Sequence, residues 1–514
     1  MFELLLSLAP IFAVAFIFLL TRKTFYALIA GCFIGSIVIA GPDLFLVSEL
    51  LFHKFLAASE INNLFSLKFF SSSRLLLMFF IFFTNILIAL IHESGLFYGY
   101  YNFLRTKVNS KKGAELSSLI LGLILFVDDY LSVMTNAKIS SMFCSKFAIS
   151  RMKIAFLVGT LAAPLCTLIP ISSWSAEILS TISGSIDTNS LFGMDAFLVY
   201  AKSIPFVLFS LCLAATGFFV VFFDSTFGVL KKEESVVCEV KNDNIDELVY
   251  EKVSLLQFLI PVFLLIGSVV ALMAYFGGYP AIGFFLSLQK NPFPEKALFF
   301  GTLVSVLCSS VYLFSIKMVS FFGVVEAVKI GFFETKDILF LLTFSNMFGR
   351  FLSEIGTGKI LASAALPYLS PAVFLVAIFI LTATLSFLLG SAWATISIMI
   401  PVALPMYSLF DANPEHMLIV IIGAILSAVI FGSGLSPVSE LVMMNSRSSK
   451  VSHEDFLRVQ FDYLFPIGVL SACSFFAINY FLLNGNTLFF CWIVGVVPLI
   501  LFSNLYFFVR SRIE

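Results

Sequence analysis

The chain has 514 residues, of which 60% are hydrophobic and 12% charged, with 64 Phe and a mean hydropathy of +1.05. This balance excludes a soluble globular domain and marks an all-α polytopic membrane protein. A net charge of −1, with no concentrated basic surface, excludes nucleic acid and leaves the lipid bilayer as the partner.

The first apolar run, Phe2 to Leu20, holds Glu3 and Pro10 and lacks a basic n-region, so it reads as a transmembrane helix rather than a cleaved signal peptide. Thr24 to Ala40 and Leu75 to His92 follow as helices of spanning length. Arg22 and Lys23 separate the first two, and Arg105, Lys107, Lys111 and Lys112 follow the third. The positive-inside rule places both segments in the cytoplasm and the N-terminus outside. Ala114 to Met134 comes next, with Asp128 and Asp129 side by side in it, and then a basic cluster at Lys138, Lys146, Arg151 and Lys153. Basic clusters at both ends predict a re-entrant hairpin with arms Ala114 to Val127 and Tyr130 to Phe143 and its bend at the Asp pair, reaching roughly 20 Å into a ~30 Å core. Ile154 to Ile178 contains Pro164 and Pro170, which predicts a broken helix. Glu177, Asp187 and Asp195 put the following loop outside, and Ala196 to Phe223 returns to the cytoplasm. There the polar segment Asp224 to Ser254 serves as a linker.

The second half repeats the layout. Leu255 to Phe276, Ala297 to Ile316 and Asp337 to Leu352 mirror the first three helices, and Glu354 falls where Glu93 fell. Pro371 to Leu409 is interrupted at Gly390 to Thr395, which predicts a second hairpin that opens outside. Met417 to Met443, interrupted at Gly432 to Glu440, is the second broken helix. Leu464 to Phe481 leads out, and Leu488 to Phe508 leads back to Arg510 and Arg512, leaving the C-terminus in the cytoplasm. The expectation is about eleven crossings and two hairpins in two inverted repeats. The expected divisions are a first repeat over 1–223, a linker over 224–254, a second repeat over 255–484 and an added helix over 485–514.

An acid in hydrocarbon costs at least about 2.5 kcal/mol, so adjacent aspartates there normally face a water-filled cavity or a cation. The four interrupted elements bring Asp128, Asp129, Ser172, Ser173, Ser391, Thr395, Ser436, Ser439 and Glu440 toward one region. These are hard oxygen donors of the kind alkali cations and protons need. Adjacent carboxylates also repel, which suits a pair to exchanging a proton for a cation. The simpler reading is an Asp pair that caps a helix at a water interface. Glu93 and Glu354 stand at helix ends, where capping or pairing with Arg105 or Lys359 competes with transport. Trp174 and Trp393 serve either a site or a packing and interfacial role. His53, His92, His416 and His453 lie near segment ends and read as solvated. The eight Cys are scattered without metal-ligand spacing and read as buried fillers. No cofactor is expected. HExxH, Walker, GxSxG and GxGxxG signatures are missing, so the expectation is a gradient-driven carrier and not an enzyme.

Five segments together carry a resemblance: "FVDDY" (Phe126 to Tyr130), Ile149 to Trp174 with "PISSW", "SEIGTGKILA" (Ser353 to Ala362), "GSAWATISIMIPVALP" (Gly390 to Pro405) and "FGSGLSPVSE" (Phe431 to Glu440). Over nearly its whole length the chain resembles the NhaC-type sodium/proton antiporters of the ion transporter superfamily. The resemblance implies a sodium/proton exchanger in the cell membrane, with relatives that move organic acids or amino acids, and a homodimer with an elevator-like motion. It adds Tyr130 and Ser132 to the candidate site, with Asp128 and Asp129 as the sodium ligands. The chain departs from the family at Ser132, where Asn is usual, at Ser141, Met142, Ser145 and Gly159, at Ser433 and Gly434, and at Glu440, which replaces an Asp. Lys138 adds a positive charge to the second hairpin arm. The expected function is therefore sodium/proton antiport through the Asp pair. The alternative is an ion-coupled organic-acid or amino-acid carrier in which Lys138, Arg350 or Lys359 attracts a carboxylate, and a passive channel fits broken repeats least.

Overall fold

The computed structural model describes residues 2–21, 23–64, 66–185, 194–234, 253–281, 283–284, 287, 293–357, 360, 371–409 and 414–513, and every regular element among them is helical. Arg22, Asp187, Lys359 and the linker stretch 235–252 lie outside the described residues. In the first half the helices are α1 (Phe2–Thr21), α2 (Thr24–Ala40), α3 (Leu44–Ser59), α4 (Ser73–Glu93), α5 (Tyr98–Lys107), α6 (Lys111–Ile124) and α7 (Asp129–Ser141). They continue with α8 (Arg151–Gly159), α9 (Ala162–Leu168), α10 (Ser173–Ser185), α11 (Ala196–Ser203), α12 (Leu208–Phe223) and α13 (Gly228–Glu233). The second half holds α14 (Leu255–Phe276), α15 (Pro294–Ser315), α16 (Phe321–Ile355), α17 (Phe374–Leu389), α18 (Ala392–Ala403), α19 (Pro414–Leu435), α20 (Glu440–Ser448), α21 (His453–Leu483) and α22 (Leu488–Ile513).

Two helices depart from the sequence reading. α3 was not expected, because Glu49, His53 and Lys54 interrupt its apolar pattern; Asp43 starts it by accepting the backbone N–H of Phe45 at 2.9 Å. The helix expected over Asp337 to Leu352 is the end of the 35-residue α16, roughly 52 Å long, whose first half carries Glu326, Lys329, Glu334 and Lys336 and so shows no apolar run. By length and composition, eight helices among the described residues can cross a membrane, or nine if α11 and α12, bent by 50°, form one span.

Packing fixes which ends share a face. α2 and α16 run side by side in the same direction: Phe25 meets Phe340 and Phe344, Gly31 meets Phe348, and Gly35 meets Phe351. α4 runs against α16, with Asn85 donating to Thr335 at 2.9 Å. The ends carrying Lys23 and His92 therefore share one face, called here the near face, and Arg350 lies roughly 15 Å further along α16 than Phe340, toward the far face. α6 and α7 form the first hairpin. Asn136 on α7 donates to Ser118 O on α6 at 2.8 Å and accepts from Ser118 Oγ at 3.0 Å. Its base lies at the near face, where Lys138 sits over the rings of Phe97 and Tyr98. α17 runs against α21, with Phe379 beside Phe475 and Asn479 donating to Pro371 O, so α17 starts at the far face. α18 runs back alongside α10, with Trp393 beside Trp174 and Ser397 bonded to Glu177. The two hairpins thus enter from opposite faces.

Each hairpin bend lies against the break of an interrupted span. Ser173 N, at the start of α10, donates to Val127 O in the first bend at 2.7 Å. In the second bend Gly390 has φ +62°, and a Cβ there would lie 2.9 Å from the Val438 backbone between α19 and α20. Close helix approach supports this arrangement: Gly432 on α19 leaves no room for a side chain against Ala383 O of α17, and Ser386 donates to Val429 O at 2.8 Å. Large apolar side chains face outward around the bundle, including Phe16, Phe263, Phe314 and Phe465. In water they would form an aggregating patch, whereas lipid matches them at no cost.

A charge cluster ties the first hairpin to the end of the first half. Lys153 is fully buried, and its Nζ lies 2.9 Å from Glu115, 2.7 Å from Glu234 and 3.3 Å from Asp224. Lys111 reaches Glu234 at 3.1 Å, and Thr226 donates to it at 2.7 Å. Burial pushes the Glu234 carboxyl up, but the Lys153 charge and hydrogen bond, the Thr226 hydroxyl and Lys111 together outweigh it and hold it below the usual value. A lowered folded-state pKa gives stability that is present above the unfolded value and disappears as pH falls through the folded one. Glu234→Gln should therefore lower the unfolding midpoint in detergent at pH 7 and flatten its decline in acid; an unchanged acid limb would contradict the assignment. Gly390→Ala should destabilise by about 2 kcal/mol or more, because it adds both an unfavourable φ and a backbone clash. Thermal unfolding reads this directly, and an unaltered midpoint would show that the bend is not fixed as described.

Candidate functional site

Four helices begin where the bends and breaks meet: α7 after Leu125 to Asp128, α10 after Ile169 to Ser172, α18 after Gly390 and Ser391, and α20 after Ser436 to Ser439. Each interruption presents one helix N-terminus with free N–H groups and one C-terminus with free carbonyls. Such paired ends can hold ions of either sign at membrane depth, provided that they line a cavity or are buried in protein.

A cavity of about 940 Å³ lies beside them, with Asp128, Tyr130, Ser391, Trp393 and Glu440 in its wall. Lys23, Asn85, His92 and Glu334 add to its polar lining, which places it on the near-face side of the bends. Those four were missed in the sequence reading. Asn85 and His92 were legible as polar residues on an apolar helix, but Glu334 and Lys23 reach the cavity only through the packing of α2, α4 and α16. His92, read as solvated, is exposed into this cavity and lies beside Phe97.

The two aspartates face different surroundings because consecutive helical positions point about 100° apart. Asp128 caps α7, accepting Leu131 N at 2.8 Å, and lines the cavity. Asp129 is 2% exposed and lies behind it, with the indole N–H of Trp174 directed toward its carboxylate and the Ser173 hydroxyl beside Asp128. The helix-capping alternative is thus realised in Asp128, but inside the protein and not at an outer surface. Ser132 Oγ is buried without a hydrogen-bond partner. Ser132 stands three residues after Asp129, on the same face of α7. Buried polar groups are normally paired, so an unpaired hydroxyl on the same helix face as a buried carboxylate fits a site that takes a polar guest.

The remaining candidates divide clearly. Tyr130 donates to Glu440 Oε2 at 3.1 Å across the cavity, joining the first hairpin to the second break. Trp174 and Trp393 pack with ring centroids 5.7 Å apart, one buried and one facing the cavity. Ser391 caps α18 through Ala394 N at 3.3 Å. Ser172, Thr395 and Ser436 bond to local backbone: Ser172 Oγ donates to Cys166 O at 2.6 Å, Thr395 Oγ1 donates to Ser391 O at 2.8 Å, and Ser436 Oγ accepts Val438 N at 3.4 Å. These three help to shape the breaks through their local bonds. Ser439 lies on a separate pocket of about 30 Å³ with Gly159, Asn445 and Gln460, enough for a single water. Glu354 stands apart at the far face, where it pairs with Lys54 of α3. Lys138 is ten residues along α7 from Asp128, roughly 15 Å away, and Arg350 donates to Asn346 Oδ1 at 3.0 Å on the far side. Among the described residues no cluster of three or more His, Cys, Asp or Glu is arranged to hold a resident metal ion.

Known proteins resemble this chain in sequence and in fold. An uncharacterized protein of Haemophilus influenzae is 24% identical over 491 residues, covering 92% of this chain and 91% of its own. The Alcanivorax borkumensis YdaH transporter, whose structure is described as having an unusual topology, superposes with a TM-score of 0.54 at 14% identity, over 78% of this chain and 85% of that one. Neisseria gonorrhoeae MtrF, described among a class of antimetabolite efflux pumps, gives a TM-score of 0.49 at 14% identity over 79% of each chain. The YdaH likeness shows a shared fold. The sequence model of the Na+/H+ antiporter family matches residues 165–480, well over half of the chain, from the first broken span through the second repeat of the layout. This multi-pass membrane transporter belongs to the Na+/H+ antiporter family.

Proposed function

We propose that the protein exchanges sodium for protons, with Asp128 and Asp129 as the groups that alternate between them. The observation that carries this reading is the buried Asp129 carboxylate, with the Trp174 indole N–H directed toward it and the unpaired Ser132 hydroxyl on the same face of α7, one residue from the cavity-lining Asp128. A carboxylate with hydroxyl oxygens suits a hard monovalent cation. When the cation leaves, a proton replaces it, because two adjacent carboxylates in a low-dielectric site do not remain charged together. The α7 N-terminus and the Tyr130 to Glu440 bond then hold the first hairpin against α20.

Basic residues at the near face, Lys23, Lys111 and Arg151, make that face cytoplasmic by the positive-inside rule. The cavity then opens inward, the N-terminus lies outside and the C-terminus inside. In this reading the halves 1–223 and 255–484 work as inverted repeats joined by 224–254, with 485–514 appended, and a homodimer is the proposed assembly.

A second reading rests on the cavity itself. About 940 Å³ lined by Trp393, Tyr130, Lys23 and His92 exceeds what a sodium ion needs and falls in the range of organic-ligand pockets. An organic acid or amino acid carried with the ion would fill it. Purified protein in proteoliposomes with a pH-sensitive dye separates the two. Exchange predicts proton movement on adding sodium alone, reduced to background in Asp129→Asn and strongly reduced in Asp128→Asn. If sodium alone moves no protons but a labelled organic acid accumulates under the same gradient, the second reading replaces the first.

A further inference from the structure

The cavity beside the bends carries more negative charge than its wall neutralises. Three acids line it, Asp128, Glu334 and Glu440, against one lysine, Lys23, and His92, which is positive only when protonated. Among the described residues none of the three acids is ion-paired. Asp128 accepts Leu131 N at 2.8 Å, Glu440 accepts the Tyr130 hydroxyl at 3.1 Å, and Glu334 is exposed into the cavity. Lys23 is turned to an aromatic ring instead, its Nζ lying 5.7 Å from the centre of Tyr26. At the His92 end the neighbouring charges, Lys138 and Glu93, oppose each other. A cavity of one predominant sign in a low-dielectric bundle concentrates counter-ions, so its fitting occupant is a cation.

Sodium alone leaves the rest of the wall unexplained. Tyr26, Tyr130 and Trp393 stand among the acids, and about 940 Å³ is room for an organic molecule. A hydrated alkali ion gains little from aromatic faces. An ammonium group that carries apolar carbon gains twice, from the attraction of its charge to the rings and from burial of its carbon. The protein's own ammonium on Lys23, set over Tyr26, shows this mode inside the same cavity. We propose that the cavity binds an organic ammonium ion, with its nitrogen held by the wall carboxylates and its carbon against the rings of Trp393 and Tyr130. The proposal rests on the second reading above, in which an organic molecule fills this space. It names the group that the wall recognises: the amino end of an amine or amino acid, and not the carboxylate of an organic acid, which would meet the three acids.

Equilibrium binding of labelled choline to the purified protein tests this, because choline is a quaternary ammonium that cannot shed its charge. Two competitors share its shape. Neohexyl alcohol has carbon in place of the charged nitrogen and is neutral, and tert-butylacetic acid is an anion at neutral pH. Choline should bind saturably, and each competitor should displace it at least ~10-fold less well than unlabelled choline does. Glu334→Gln should weaken choline several-fold. Trp393→Leu, which removes the ring but keeps an apolar side chain, should weaken it roughly tenfold. Equal displacement by the neutral alcohol overturns the proposal, and so does a choline affinity that neither variant alters, since the ligand would then sit outside this cavity. Tighter binding of the acid overturns the proposal alone and leaves the organic-acid form of the second reading in place. Failure of all three compounds to bind the unaltered protein removes the second reading together with the proposal.

Discussion

Everything in this fold depends on one constraint: a chain that breaks its helices inside a membrane must satisfy the freed backbone ends within the protein. The structure meets it by pairing the interruptions. The first bend gives its Val127 carbonyl to Ser173 N at the first break, and the second bend brings Gly390 against the Val438 backbone at the second. Because the hairpins enter from opposite faces, these two contacts place four helix starts around a common region. The aspartates, the two tryptophans and Glu440 are all attached to those starts, so the site is a by-product of how the breaks are closed.

The same arrangement explains why two adjacent aspartates are not equivalent. Asp128 is fixed by its cap on Leu131 and faces the cavity, while Asp129, which also accepts Tyr130 N at 3.1 Å, turns toward α10. One group can meet an incoming ion and the other can hold it away from bulk water. The near-face charge cluster around Lys153 ties the first hairpin to α12 and α13.

Much of this was legible in the amino-acid pattern. The hairpin at Asp128 and Asp129 followed from basic clusters at both ends of one apolar run, and the breaks followed from Pro164, Pro170 and the Gly and Ser positions near 390 and 432 to 440. Those signals are local, and so they survive without a structure. Side-chain direction did not. Ser172, Thr395 and Ser436 were legible as oxygen donors at the breaks, but not their bonds to local backbone. Glu354 matched Glu93 by spacing, but α3, hidden by its mixed polarity, supplies Lys54 to it. Glu334 and Lys23 were illegible as site residues because only the pairing of α2 with α16 brings them to the cavity, and Glu177 served only as a topological marker until α18 was seen beside it.

The central claim is that Asp129 binds sodium in competition with a proton. Trp174 lies beside that carboxylate, so its emission reports on occupancy directly, and Trp492→Phe removes the remote third tryptophan, which bonds to Pro205 O at 2.9 Å. Sodium titrated into the purified Trp492→Phe protein should change the fluorescence, with an apparent affinity that weakens as pH falls and a response that disappears in Asp129→Asn. A response that is independent of pH, or that survives Asp129→Asn, would contradict the account.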